Sequence, residues 1–281
     1  MTTEALTLSA APARRRHRFR HAIRDVAVLT ARNLVHVARE PLRLSDVTIQ
    51  PVLFTLLFVY VFGAGVVLPH GTYADFAIAG LLAMNLTTSA IGTAVGLSMD
   101  LGTGVIDRFR TLPIWKPSVL VGRSLTDLLS AAICAAIVIA TGLVVGWRPD
   151  ASVASTLAGV GLFLLFSYAI SWGCACLGLV SHDAESAQGL GLIILFPLAI
   201  VSNALVPTAR MPALLRTIAN WNPVSAVTTA ARQLFGNPNP SAAIRAWPMQ
   251  HPVAASLLWS AAMLAVFAPL ASALYRRRTT D

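Results

Sequence analysis

Six long windows of this chain contain no Asp, Glu, Lys or Arg, and a soluble fold of 281 residues has little use for so many. They span 28 positions between Asp46 and Asp75, 24 from there to Asp100, 20 between Asp127 and Arg148, 32 from Ala151 to His182, 24 from Ser186 to Ala209 and 30 from Ala246 to Tyr275. A helix rises ~1.5 Å per residue and the hydrocarbon layer is ~30 Å thick, so about 20 apolar residues suffice to cross it. Each window is long enough. The expected fold is an all-α integral membrane protein with six transmembrane helices.

The charges that remain gather between the windows and at the ends. Residues 1–45 hold nine arginines, from Arg14 to Arg43, without the apolar core of a signal peptide, and read as a retained cytosolic segment. Cytoplasmic loops of membrane proteins are enriched in Arg and Lys. Placing the N-terminus inside collects those nine with Arg108, Arg110, Lys116, Arg123, Arg276, Arg277 and Arg278, and leaves only Arg148, Arg210, Arg216, Arg232 and Arg245 outside. The formal charge of +9 is thereby a matter of topology, not of nucleic acid, and both termini are expected in the cytosol. Three parts follow: a cytosolic tail with an interfacial helix (1–45), a six-span domain (46–275) and a short cytosolic tail (276–281). The expected location is the plasma membrane, crossed several times. Cys134, Cys174 and Cys176 fall inside spans, where small thiols pack as apolar groups.

Two segments outside the spans have helical periodicity. From Ile23 to Ala38, Ile23, Val26, Ala27, Thr30, Leu34 and Val37 share one side and Arg24, Asp25, Arg32 and His36 the other, as in a helix lying on the inner membrane surface. After span two, Val105, Ile106, Phe109 and Leu112 gather on one face of a short helix, with Asp107, Arg108, Arg110 and Thr111 opposite and Pro113 at its end. This is either an ordinary amphipathic connector or a plug that docks into a soluble motor. Arg123 and Asp127, one helical turn apart at the start of span three, are placed to pair.

The stretch Gln50-Pro51-Val52-Leu53-Phe54 through Phe62-Gly63, the loop Asp107-Arg108-Phe109-Arg110-Thr111-Leu112-Pro113, the run from Phe196-Pro197 through Ser202-Asn203 to Met211-Pro212, and Asn222-Pro223-Val224-Ser225 with Ala231-Arg232 appear in an order that resembles the permease subunits of type 2 ABC exporters. Within that group the chain is similar to the daunorubicin-resistance membrane proteins. The resemblance implies export of hydrophobic compounds through a dimer of six-helix halves, homo- or heteromeric, with ATP and Mg bound by a separate ATPase and no cofactor on this chain. It implies that Val105, Ile106, Asp107, Arg108, Phe109, Arg110 and Leu112 couple the permease to that ATPase, and it places short helices on the outer side between spans five and six.

Apart from any resemblance, the chain is not its own motor. A P-loop requires Gly-x-x-x-x-Gly-Lys-Ser/Thr, and the sole lysine, Lys116, lies between Trp115 and Pro117. A gradient-driven transporter is the alternative, but acids that could relay protons fall at span ends: Asp75, Asp100, Asp127, Asp183 and Glu185. A membrane enzyme is a weaker alternative, resting on His182, Asp183 and Glu185 in one short turn.

Candidate substrate-path residues are the uncharged polar groups within spans, Asn85, Thr87 and Thr88 in span two and Ser202 and Asn203 in span five, unless they serve helix–helix hydrogen bonding. Gly92-x-x-x-Gly96 and Gly142-x-x-x-Gly146 permit close helix approach, and Pro51, Pro197 and Pro269 are placed to kink spans one, five and six. Between Val206 and Gln250, Leu214, Leu215, Ile218 and Trp221 form one helical face, expected in the outer leaflet.

Overall fold

The computed structural model describes residues 45, 48–63, 65, 71–102, 118–208, 211–240 and 244–278. The interfacial helix expected over Ile23–Ala38 and the amphipathic helix expected over Val105–Leu112 fall outside the described residues.

The described residues form helices and connections, with no strand among them. Helix α1 (Ile49–Leu57) runs on into a π-helical turn, Phe58–Phe62. Then come α2 (Tyr73–Ser89), α3 (Ile91–Gly102), α4 (Ser118–Val145), α5 (Val153–Val180) and α6 (Ala184–Ile200). The rest comprises α7 (Ala213–Trp221), α8 (Pro223–Phe235), α9 (Trp247–Gln250) and α10 (Pro252–Arg278).

Among the described residues, four stretches are long and apolar enough to cross a membrane: Tyr73–Gly102, Val121–Val145, Val153–Val180 and Pro252–Arg278. Two of the six expected spans are shorter apolar helices, Ile49–Phe62 and Ala184–Ile200. In the latter case, helix geometry stops at Ile200 and the chain continues as irregular backbone, so part of the sixth charge-free window's predecessor is spent on a non-helical connection.

The helix starts are local and legible. Thr72 and Asp75 form a reciprocal capping box at α2. Ser152 caps α5 and Asp183 caps α6, accepting from the Ser186 amide at 2.7 Å. That contact holds the Asp183 carboxyl below its usual range, so this exposed acid is occupied with starting a helix. Gly236, at φ 72°, ends α8 in a left-handed turn that a Cβ would strain.

Packing places α2–α3 at the centre: 72% of its apolar window is buried, against 17% for α10. The core runs from Phe76, Ile78, Leu81 and Leu82 on α2 through Phe163 and Phe166 on α5 to Phe235 on α8. Cys134 and Cys174 are packed into it as apolar groups, and Cys176 contacts the Phe267 carbonyl. The loop ends sort to two poles. Gly71 packs against Pro238, the Asp150 and Ala151 amides donate to the Phe235 carbonyl, and Trp147 Nε1 donates to Asn237 at 2.9 Å. At the opposite pole Arg278 donates to the Leu179 carbonyl.

Three details depart from the sequence reading. Pro51 is the third residue of α1 and buried in its first turn, where the missing amide costs nothing, so it begins the helix instead of kinking it; Pro197 and Pro269 do lie inside helices. The long second window is broken at Ala90 into α2 and α3. Of the expected glycines, Gly96 does meet α4 closely through the Arg123 side chain, but the backbone-to-backbone approaches fall at other glycines. A Cβ at Gly80 would strike the Ala204 backbone and one at Gly178 the Ala94 backbone, whereas Gly92 faces open space and Gly142 meets only the Ile78 side chain.

Candidate functional site

Two buried polar nodes, each built on an arginine, hold the two arms of α2–α3. One, the outer node, lies on the side that the sequence reading makes external and surrounds the irregular connection after α6. Buried backbone outside a helix must find partners inside the protein, and here side chains supply them. Asn222 Nδ2 donates to the carbonyls of Leu198 and Val201 at 2.7 and 2.6 Å, while its Oδ1 accepts from the Val224 amide and starts α8. Pro223 follows at the first helical position, where its fixed φ suits the helix. The Asn203 amide donates to Ser225 Oγ at 2.9 Å and its Nδ2 to Thr229 Oγ1 at 2.6 Å. Tyr73 hydroxyl reaches the Leu205 carbonyl at 3.3 Å.

Arg232 closes this node. Although read as an external loop charge, it is completely buried. Its Nε donates to the Phe76 carbonyl at 3.0 Å, its Nη2 to the Ala204 carbonyl at 2.8 Å, and its guanidinium carbon stands 3.6 Å from the centre of the Phe76 ring. Two carbonyl dipoles and one aromatic face thus stand where a counter-ion would be, and among the described residues Nη1 has no hydrogen-bond partner. The arrangement ties α8, the irregular connection and α2 into one body. Its signal in the sequence is slight: a lone arginine in Pro223–Phe235, a helix otherwise free of charge and rich in small residues.

The inner node, on the side that the sequence reading makes cytosolic, joins α3 to α4. Arg123 Nη2 donates to the Gly92 carbonyl at 2.8 Å, Arg123 Nε lies 3.5 Å from Asp127 Oδ1, and Thr93 Oγ1 donates to Asp127 Oδ2 at 2.7 Å. The expected pairing of Arg123 with Asp127 is present, and the partners on α3 are additional. Gly96 leaves room for the guanidinium, since a Cβ there would collide with it.

The other polar candidates fall into two groups. Thr87 is fully buried and donates to the Ala83 carbonyl, Asn85 Nδ2 donates to the Leu81 carbonyl, and Thr88 to the Met84 carbonyl. Such back-bonding bends helices, and it occupies the last turn and a half before the break at Ala90. Ser202 Oγ donates to the Ala199 carbonyl at 2.6 Å, and Asn203 belongs to the outer node described above. The residues expected to couple to an ATPase, Val105, Ile106, Asp107, Arg108, Phe109, Arg110 and Leu112, fall between α3 and α4 in sequence and lie outside the described residues.

Helix α7 keeps the face read from its sequence. Leu214, Leu215, Ile218 and Trp221 are exposed, as expected of a helix lying at an interface. Helix α8 differs. Eleven of its 13 residues are buried, against α2, α5 and α10, so only part of the 206–250 stretch is superficial.

Residues 24–235 match the model of the ABC-2 type transporter family. The chain belongs to that family. Similar proteins include a daunorubicin resistance ABC transporter permease protein of Streptomyces coeruleorubidus, 33% identical over 85% of this chain and 81% of that one. Another is named "Probable doxorubicin resistance ABC transporter permease protein" in Mycobacterium tuberculosis, 22% identical over all of this chain and 99% of its own length. This chain is accordingly an integral membrane protein and an ABC transporter permease subunit.

Proposed function

We propose that this permease exports a hydrophobic or amphiphilic molecule, a drug, antibiotic or lipid, outward across the plasma membrane. It forms one half of a homo- or heterodimer and draws on a separate ATPase chain that holds ATP and Mg. The observation that carries this reading is the family match over residues 24–235 in a sequence without a P-loop. The names of the two similar proteins support a hydrophobic cargo. Exposed apolar faces support contact with lipid or a second half: Leu53, Leu57, Tyr60 and Val61 near the start of the described chain, and Ile193, Ile194 and Phe196 on α6, opposite the buried Ala187, Gly191, Leu195 and Ala199.

In this reading Ile49–Phe62 and Ala184–Ile200 complete six spans, and the excess of arginine in the tails and in the segment after the second span supports cytosolic termini. Single cysteines at the exposed positions Thr72 and Asp150 should then react with an impermeant thiol reagent on intact cells, and one at Thr111 should not; labelling at Thr111 would reverse the orientation.

The functional test is transport in inside-out vesicles. Doxorubicin, followed by its own fluorescence, should accumulate only when the chain, its ATPase and hydrolysable ATP are present together. Accumulation driven by an ion gradient with the chain alone would instead identify a secondary transporter.

A further inference from the structure

We propose that Arg123, Asp127, Thr93 and Gly96 form a transmission joint that conveys displacement of the α3–α4 connection to the break at Ala90, so that Arg123 and Asp127 are positioning residues for coupled transport. The inference rests on the ATP-driven reading above. It follows from what the two arms of α2–α3 pack against. Before Ala90, α2 lies chiefly against α4; after it, α3 packs on α5 and α6 and meets α4 only slightly. A push on the connection at the inner ends of α3 and α4 would therefore let these helices slide apart unless something fastened them.

The fastening is in place, and it sits directly at the break. Gly92 and Thr93, the two α3 residues held by the inner node, belong to the first turn of α3, and the Thr93 amide itself donates to the Ala90 carbonyl at 3.0 Å. On the other side of the break, Asn85, Thr87, Thr88 and Ser89 all donate to carbonyls three or four residues back, loosening the end of α2. Beyond them α2 is anchored by the Arg232 bonds and by the Gly80–Ala204 approach. One helix pair is thus fixed at both arms and weakened between them. The ion pair itself lies within α4, and each partner also reaches across to α3, so two cross-helix bonds share one charged unit; this is a costlier fastening than apolar packing and suits a joint that must stay registered while its neighbours move.

Two substitutions separate this role from simple stability. Gly96→Ala retains every charge and improves helix propensity, but its methyl group evicts the Arg123 guanidinium. Thr93→Val retains volume and removes only the hydroxyl bond to Asp127. Each variant is purified with its ATPase, and doxorubicin accumulated per ATP hydrolysed is measured beside the parent, together with thermal unfolding in detergent.

The expected result is unchanged assembly with the ATPase and continued hydrolysis, with transport per ATP falling at least about fivefold for Gly96→Ala and less for Thr93→Val. Parent-like transport per ATP in Gly96→Ala would overturn the joint. So would a loss of transport that merely tracks loss of folded protein, since that is a structural role. A parent complex that shows no ATP-dependent transport would fail at the earlier step, the ATP-driven reading itself.

Discussion

Replacing Arg232 by methionine is expected to lower the thermal midpoint of the detergent-solubilised protein by about 5–10 °C. The side chain is completely buried and donates to the Phe76 and Ala204 carbonyls from a position over the Phe76 ring. Methionine fills most of the volume and removes the charge, so overpacking is avoided. What it leaves is the Ala204 carbonyl of an irregular segment without its donor, and α2 without its tie to α8. A buried polar group left unsatisfied costs ~1–3 kcal/mol, and the lost cation–π contact adds about another 1. For a chain of this size each kcal/mol shifts the midpoint by about 2–4 °C. Lysine should fall between, because a single ammonium replaces a rigid fork that serves two acceptors at once. Size-exclusion chromatography after graded heating measures the effect. An unchanged midpoint for Arg232→Met would mean that the outer node contributes nothing to the bundle.

The second large effect is functional. Phe109→Ala should abolish most ATP-dependent export while leaving expression intact. The sequence gathers Val105, Ile106, Phe109 and Leu112 on one face, opposite Asp107, Arg108 and Arg110, in the connection that leaves α3 and enters α4. If this face inserts into the ATPase, Phe109 is its aromatic anchor, and truncating such an anchor commonly costs ~2 kcal/mol or more at an interface. Charge reversal at Arg108 should act in the same direction but less, since an exposed ion pair contributes only ~0–1 kcal/mol. Membrane level, ATPase recovery and transport are compared for both variants. Normal transport by Phe109→Ala at normal level would reduce this loop to a plain connector.

How far the sequence alone reaches depends on whether a signal is local. The apolar windows are local, and four of them correspond to helices of spanning length. The Arg123–Asp127 pair is local too, being one turn apart on one helix, and so is the exposed face of α7. The partners of that pair on α3, Gly92 and Thr93, are 31 and 34 residues away, and nothing in their spacing announces them. Arg232 is the clearest case of a hidden role. A charge near the end of a window normally marks an exit into water, but here carbonyls from residues 156 and 28 positions away enclose it. Gly80 and Gly178 were likewise indistinguishable among 18 glycines, because close approach is a property of the neighbour, Ala204 or Ala94, and not of the glycine's own surroundings in sequence. The break at Ala90 did leave a local trace, the run Asn85-Leu86-Thr87-Thr88-Ser89, whose meaning lies in back-bonding as much as in any path for substrate.

The central claim is that this chain supplies a pathway and another chain supplies the energy. It is tested most directly by purifying the tagged permease from its native membranes in mild detergent and identifying what accompanies it. The account predicts a P-loop ATPase recovered in constant proportion to the permease, with ATP hydrolysis that the purified permease alone lacks. Permease recovered reproducibly, folded and active in transport without any ATPase would contradict it.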